Sequence, residues 1–286
     1  MTITSPAPTP IPAIDTHGAA DPRRARRRRG VSAVAWRLLG IVGALGLWQL
    51  GAVLVDSRGV LPGPAIVFSE LGASLLDDPG LRYLGVQHPG YLYNIGWTVG
   101  FAVVAWLVGS ALGAAVGLIS ARVQLVRNVS EPLLFVFGAV PALVLAPFFL
   151  VWFGQGWAGK AVLVAFYSFV TVGLVAQSAA LSFPRASEEY AATLGLDTRS
   201  RFRHVVVPGT LPAILAGLRI ALATAIAVQA TVELLGSQTG VGRLIALRAN
   251  QGDVAAVLGL SLALGLSAMA LDLLLRVVIR RIIRWQ

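Results

Sequence analysis

Residues 188–212 read EEYAATLGLDTRSRFRHVVVPGTLP. This is the longest polar stretch in the middle of an otherwise apolar chain, and it is not composed like a loose linker. Ser187 can cap a helix, and Glu188 and Glu189 place carboxylates at the positive end of its dipole. Tyr190, Ala191, Ala192, Thr193 and Leu194 continue that helix, and Gly195 can take the left-handed conformation that stops it. Asp197 can cap a second helix carrying Arg199, Arg201, Arg203 and His204, which Pro208 and Pro212 are expected to end before the next apolar run. The stretch predicts a compact pair of helices bent at a glycine. Alanines on one side suit a helix that lies in a groove of another protein.

The rest of the chain explains where such a hairpin would sit. Hydrophobic residues make up 56% of the chain and charged ones 13%, and the mean hydropathy is +0.77. Soluble domains carry about 25% charged residues, so this is the composition of an integral membrane protein. With no cysteine, disulfides and thiolate chemistry are excluded. His17, His88 and His204 are scattered, and no histidine metal site is expected. The net charge of +10 could suggest nucleic acid. Its arginines instead flank apolar runs at both ends of the chain, as topology signals and lipid-headgroup contacts do, and nucleic-acid binding is not expected.

Read along its length, the chain predicts an all-α integral membrane protein with about six transmembrane helices. Residues 1–30 form a basic tail expected to be disordered, and residues 31–56 a first span that is retained rather than cleaved. Residues 57–93 form an extracytoplasmic segment, in which LPGPAIVFSELGASLLDD (61–78) suits an amphipathic helix at the membrane surface or packed on the spans. Residues 94–286 hold the core spans, expected at 94–120, 132–152, 161–183, 213–235 and 254–279. Gly96, Gly100, Gly109, Gly113 and Gly117 should let the first of these approach a neighbour closely. Pro141 and Pro147 should bend the second. Arginine placement puts both termini and the loop at 184–212 on the cytoplasmic face.

GQGWAGKA (154–161) matches GxGxxG and nearly a phosphate-binding loop. Ala161 stands where Mg²⁺ would need a hydroxyl, and the glycines read as a tight turn between spans. Glu233, at the outer end of a span, could line a gate or be hydrated at the interface. Asp272 and Arg276, one turn apart, read as a structural pair. No cationic side chain is expected deep in the spans. An ion-coupled secondary transporter would want central charge in the spans, and a membrane enzyme a cluster of reactive side chains; neither pattern is present.

Glu189, Ala191 and Gly195, followed by Val205, Val207 and Pro208, resemble the EAA loop of the permease subunits of ABC importers, with Tyr190 in place of a small residue. LPGPAIVFSEL (61–71), PALVLAPFFLVWFGQGWAGK (141–160), VELLGSQTGVGRLI (232–245) and LDLLLRVVIRRIIRW (271–285) resemble the nitrate, sulfonate and taurine branch of that family. Where the branch often has Pro and Asn, this chain has Thr171 and Val175.

The resemblance implies a multi-pass permease in the cytoplasmic membrane of a bacterium. It would pair with a second copy, with two cytoplasmic ATPase subunits and with an extracytoplasmic solute-binding protein. ATP and Mg would be used by the ATPases, with no cofactor on this chain. Glu188, Glu189, Ala191, Ala192, Gly195, Val205, Val207 and Pro208 would couple to the ATPase. Pro141, Pro147, Trp152, Phe153, Thr171, Glu233 and Gly236 are candidates for the pathway or gate. The solute would be a small anion such as a sulfonate, nitrate or taurine, the alternative being a pyrimidine-type vitamin precursor.

Overall fold

The computed structural model describes residues 22–55 and 59–282, with side chains over 35–55 and 59–281. Helix α1 runs Pro22–Val55. Of the expected disordered tail, residues 1–21 lie outside the described residues. Residues 22–30 belong to α1, because proline suits a first helical turn and arginine is a good helix former. Its apolar part, Ala35–Val55, has 21 residues, enough to span.

The rest of the chain is a second compact unit, whose secondary-structure elements among the described residues are all helices. It contains α2 (Pro64–Ala73), α3 (Pro79–Tyr83), α4 (Tyr91–Ser120), α5 (Gln124–Ala139), α6 (Ala142–Phe153), α7 (Trp157–Leu181), α8 (Arg185–Thr193), α9 (Thr198–Arg201), a π turn (Phe202–Val206), α10 (Val207–Leu234), α11 (Val241–Asn250) and α12 (Val254–Ile282).

Helices α4 and α7 form the centre. A Cβ at Gly109, Gly113 or Gly117 would strike the backbone carbonyls of Ala165, Phe169 and Gly173 respectively. Those contacts advance together along both helices, so α4 and α7 run in the same direction. Gly96 and Gly100 face open space and take no part. Helix α10 crosses α7 in the opposite sense, with Gly209 against Phe183 and Gly217 against Val175. Ala102, Ala105, Leu163, Val164, Ala221 and Leu222 fill the core between these helices.

The expected single bent span at 132–152 is instead two helices, α5 and α6, that meet at 108°. Pro141 lacks an N–H and forces Val140 into extended backbone (ψ 126°), so α5 ends outright. Pro147 sits inside α6 without breaking it. Because α4 and α7 are parallel, α5 and α6 together must return the chain across the bundle. They count as one broken crossing beside the five continuous ones.

The expected break at Pro208 and Pro212 is absent. Helix continues from Thr198 to Leu234, 37 residues in all. The π turn ends two residues before Pro208, with Val207 N–H bonding Phe202 O, and Pro208 falls in the first turn of α10, where a missing N–H is tolerated.

Segment 59–90 is pinned to this unit. Val67 is fully buried, and it and Leu71 pack on Gly259 of α12, so α2 lies on the spans. Asp78 caps α3 through Gly80 N (2.9 Å) and Leu81 N (3.2 Å) and also pairs with Arg248 of α11. Arg248 reaches Asp253 as well, at 3.2 Å. Burial works to raise the Asp78 carboxyl. The Arg248 guanidinium and the Leu81 amide outweigh it, and the group sits below the ordinary carboxylate range.

Candidate functional site

The loop at α8 and α9 has the predicted bend but different caps. Pro184, not Ser187, occupies the N-cap of α8, and the Ser187 amide bonds Pro184 O at 3.1 Å. An X–Pro pair fixes extended backbone just before the helix, which displaces the start by three residues. Gly195 has φ +83°. Its amide bonds Ala192 O (3.0 Å) and that of Leu196 bonds Ala191 O (3.3 Å), closing the helix end. Asp197 occupies the N-cap of α9, as expected, with Arg201 N bonding its carbonyl at 2.9 Å.

Glu188 is engaged within the chain. Arg122, at the end of α4, donates to its carboxylate at 2.8 Å and lies 5.1 Å from the centre of the Phe202 ring. One guanidinium therefore touches both arms of the hairpin. Ala191 turns inward and is buried, whereas Ala192 is exposed, so the alanines do not share one outward face. Glu189, Tyr190 and Leu194 are exposed beside Ala192. Val205, Val207 and Pro208 are half-buried at the π turn and the start of α10.

At the opposite end of the bundle lies a polar cluster that sequence reasoning missed. Three backbone amides at the start of α11 have side-chain acceptors: Gly240 N to Asn94 Oδ1 (2.9 Å), Val241 N to Thr98 Oγ1 (2.9 Å) and Gly242 N to Glu233 Oε2 (3.1 Å). Thr98 Oγ1 and Gln229 Nε2 also donate to the Glu233 carboxylate, at 2.7 and 2.9 Å. Glu233 is 1% exposed and is enclosed by these donors rather than open at an interface. It is a buried acceptor that fastens α11 to α10 and α4. Gly240 has φ +104°, and a Cβ there would strike the Glu233 carboxylate. Asn94 and Thr98 stand one turn apart in an apolar span, which was the available signal.

Two cations lie deeper than the sequence suggested. Lys160, in the first turn of α7, is 8% exposed and donates to Ser237 Oγ at 2.7 Å. Arg219 of α10 forks onto Asp272 of α12 at 2.6 and 3.1 Å. The expected Asp272–Arg276 pair is present at 2.7 Å, so the carboxylate is shared by two guanidiniums.

The remaining pathway candidates do not gather into one site. Trp152 and Phe153 line an apolar cavity of 560 Å³ with Phe148, Phe149 and Phe166. Thr171 bonds Tyr167 O of its own helix at 2.8 Å. Pro141 precedes α6, and Gly236 (φ +153°) lies beside Lys160 in the α10–α11 turn.

Comparison with known proteins places this architecture. The family model described as "Binding-protein-dependent transport system inner membrane component" matches residues 109–285. A probable ABC transporter permease protein of Brucella abortus (strain 2308) is 26% identical over 249 residues, 87% of this chain and 94% of that one. The taurine transport system permease protein of Escherichia coli (strain K12) is 30% identical over 185 residues, 65% of each chain. An inward-facing structure of the MetNI methionine ABC transporter shares the fold, with a TM-score of 0.54 and 19% identity over 70% of this chain and 99% of that one. The family match spans the α8–α9 hairpin, α10 with Glu233 and α11, and the chain belongs to the binding-protein-dependent transport family as a transmembrane permease subunit of an ABC importer.

Proposed function

We propose that this permease forms the path for a small anion of the sulfonate, nitrate or taurine class across the cytoplasmic membrane of a bacterium. Two copies of the chain build the path. Two ABC ATPase subunits, which hold ATP and Mg, each receive one α8–α9 hairpin from the cytoplasmic side. A solute-binding protein delivers the solute from outside. Both termini are cytoplasmic in this arrangement, in keeping with the arginines at 122, 127, 185, 199, 201 and 203 on one face.

The observation that carries the reading is the shape of the hairpin. Its fold is closed on its own chain by Arg122, Gly195 and buried Ala191, while Glu189, Tyr190, Ala192 and Leu194 face outward. A pre-formed helix with an exposed apolar rim suits docking in a cleft. ATP-driven closure of the ATPases then moves both hairpins and biases the spans between inward-open and outward-open forms.

The test is reconstitution with the ATPase and the binding protein. Gly195→Val puts a β-branched residue at φ +83°, and Glu189→Lys reverses an exposed charge. Each should leave membrane insertion intact and reduce substrate-stimulated ATP hydrolysis to the unstimulated rate. Full stimulation in both variants overturns the coupling role.

A further inference from the structure

The end of the bundle away from α8 holds a cavity of about 320 Å³ between α4, the first turn of α7 and the α10–α11 turn. Trp97, Phe101, Trp157, Lys160, Gln229 and Gln238 line it. Its size is at the small end of the ~300–1,000 Å³ typical of ligand sites and suits a solute of few heavy atoms.

The chemistry of the walls is asymmetric. Lys160 is 92% removed from solvent (8% exposed), and Ser237 Oγ is its one hydrogen-bond partner among the described residues. Ser237 Oγ in turn donates to Thr239 O at 2.6 Å, so its own hydrogen is committed. Arg243 donates to Ser237 O (3.1 Å) and to Gln238 Oε1 (2.5 Å), which occupies the amide oxygen of Gln238 and leaves its NH2 as a donor. The indole N–H groups of Trp97 and Trp157 are donors only. Gln229, 2% exposed, spends its NH2 on Glu233, and its Oε1 has no partner among the described residues. Glu233 has its charge shared among Thr98, Gln229 and Gly242. The cavity thus offers a buried ammonium, on whose charge Glu233 also acts, and several donors against one spare acceptor, with Trp97 and Trp157 exposed at its edge.

The residue type sharpens this. The chain has 23 basic residues, and Lys160 is its single lysine. A compact ammonium with three donors is a point charge that a guanidinium fork does not replace.

We propose that this cavity holds the head group of a small organic oxyanion on Lys160, with its apolar body against Trp97, Phe101 and Trp157. The proposal rests on the permease reading and names a solute-holding site within the permease itself.

A chain with one lysine labelled with 13C-lysine gives one ε-methylene signal in an NMR spectrum of the full-length protein in detergent. Titration with methanesulfonate should shift that signal saturably, and the neutral isostere dimethyl sulfone should not. No shift with methanesulfonate, or an equal shift with the sulfone, overturns the site. In the reconstituted transporter, Lys160→Met should abolish uptake and Lys160→Arg should raise the half-saturating solute concentration by at least about tenfold, close to 1.4 kcal/mol. Normal uptake by Lys160→Met also overturns the site; if that variant fails to insert, the titration of the unaltered chain decides. Absence of ATPase-dependent uptake by the unaltered complex, with the lysine signal still responding, would instead sink the transport reading and leave the site standing.

Discussion

Glu233 has almost no exposed surface and three donors, and that combination explains how a carboxylate survives inside an apolar bundle. Removing the acceptor strands the Gly242 amide and the Thr98 hydroxyl. Glu233→Leu should therefore lower stability by about 3 kcal/mol, read as a fall in the thermal midpoint of the purified permease, with Glu233→Gln losing about half as much. Asp78 makes a pH prediction at the same scale. Its carboxyl is held below the ordinary value in the folded chain, so its contribution is present above the unfolded pKa of about 3.9 and is lost as pH falls through the lower folded value. Asp78→Asn should cost about 3 kcal/mol at neutral pH by leaving Arg248 short of a buried partner, and the difference from the unaltered chain should vanish in strong acid. The sequence shows Glu233 as a charge near a span end, which reads as interfacial. Its partners lie up to 135 positions away in sequence, and no local pattern shows that separation.

Helices were legible wherever apolar length or a glycine decided them. The α4–α7 contact follows from Gly109, Gly113 and Gly117, and the bend at Gly195 follows from the residue type. Proline was less readable, because its effect depends on the turn before it. Pro141 follows a residue in extended backbone and ends α5, whereas Pro208 follows a π turn and interrupts nothing. Helix α11 was missed because its first amides are capped by side chains from α4 and α10 rather than by a local cap residue. The contact between Arg122 and Glu188 belongs to this scale, since it ties the end of α4 to α8. Both side chains are partly exposed, so the pair adds only about 0–1 kcal/mol to stability. Its role is orientation. Arg122→Glu and Glu188→Arg should each leave the thermal midpoint unchanged and cut substrate-stimulated ATP hydrolysis several-fold. The double exchange should recover a substantial part, and a double variant no better than the singles would reject the orienting role.

For the whole molecule, the fold class and the family came from composition and from the α8–α9 motif, because both are local properties of the chain. The cavity around Lys160 did not, because Lys160 and Ser237 lie 77 positions apart and their meeting is a product of packing. Topology can be tested directly, since the chain has no cysteine. Leu76→Cys should react with a membrane-impermeant maleimide in intact cells, and Arg199→Cys only after permeabilisation; the reverse pattern would invert the proposed orientation.

The unbroken helix from Thr198 to Leu234 has a mechanical consequence. At 1.5 Å per residue its 37 residues make a beam about 55 Å long, so tipping one end by about ten degrees carries the other about 10 Å sideways. That beam begins inside the hairpin and finishes one residue beyond Glu233, from which the first turn of α11 hangs. In the proposed coupling, a push on the hairpin travels along this helix, past the π turn at Phe202–Val206, to the first turn of α11, as a crankshaft delivers motion to a valve.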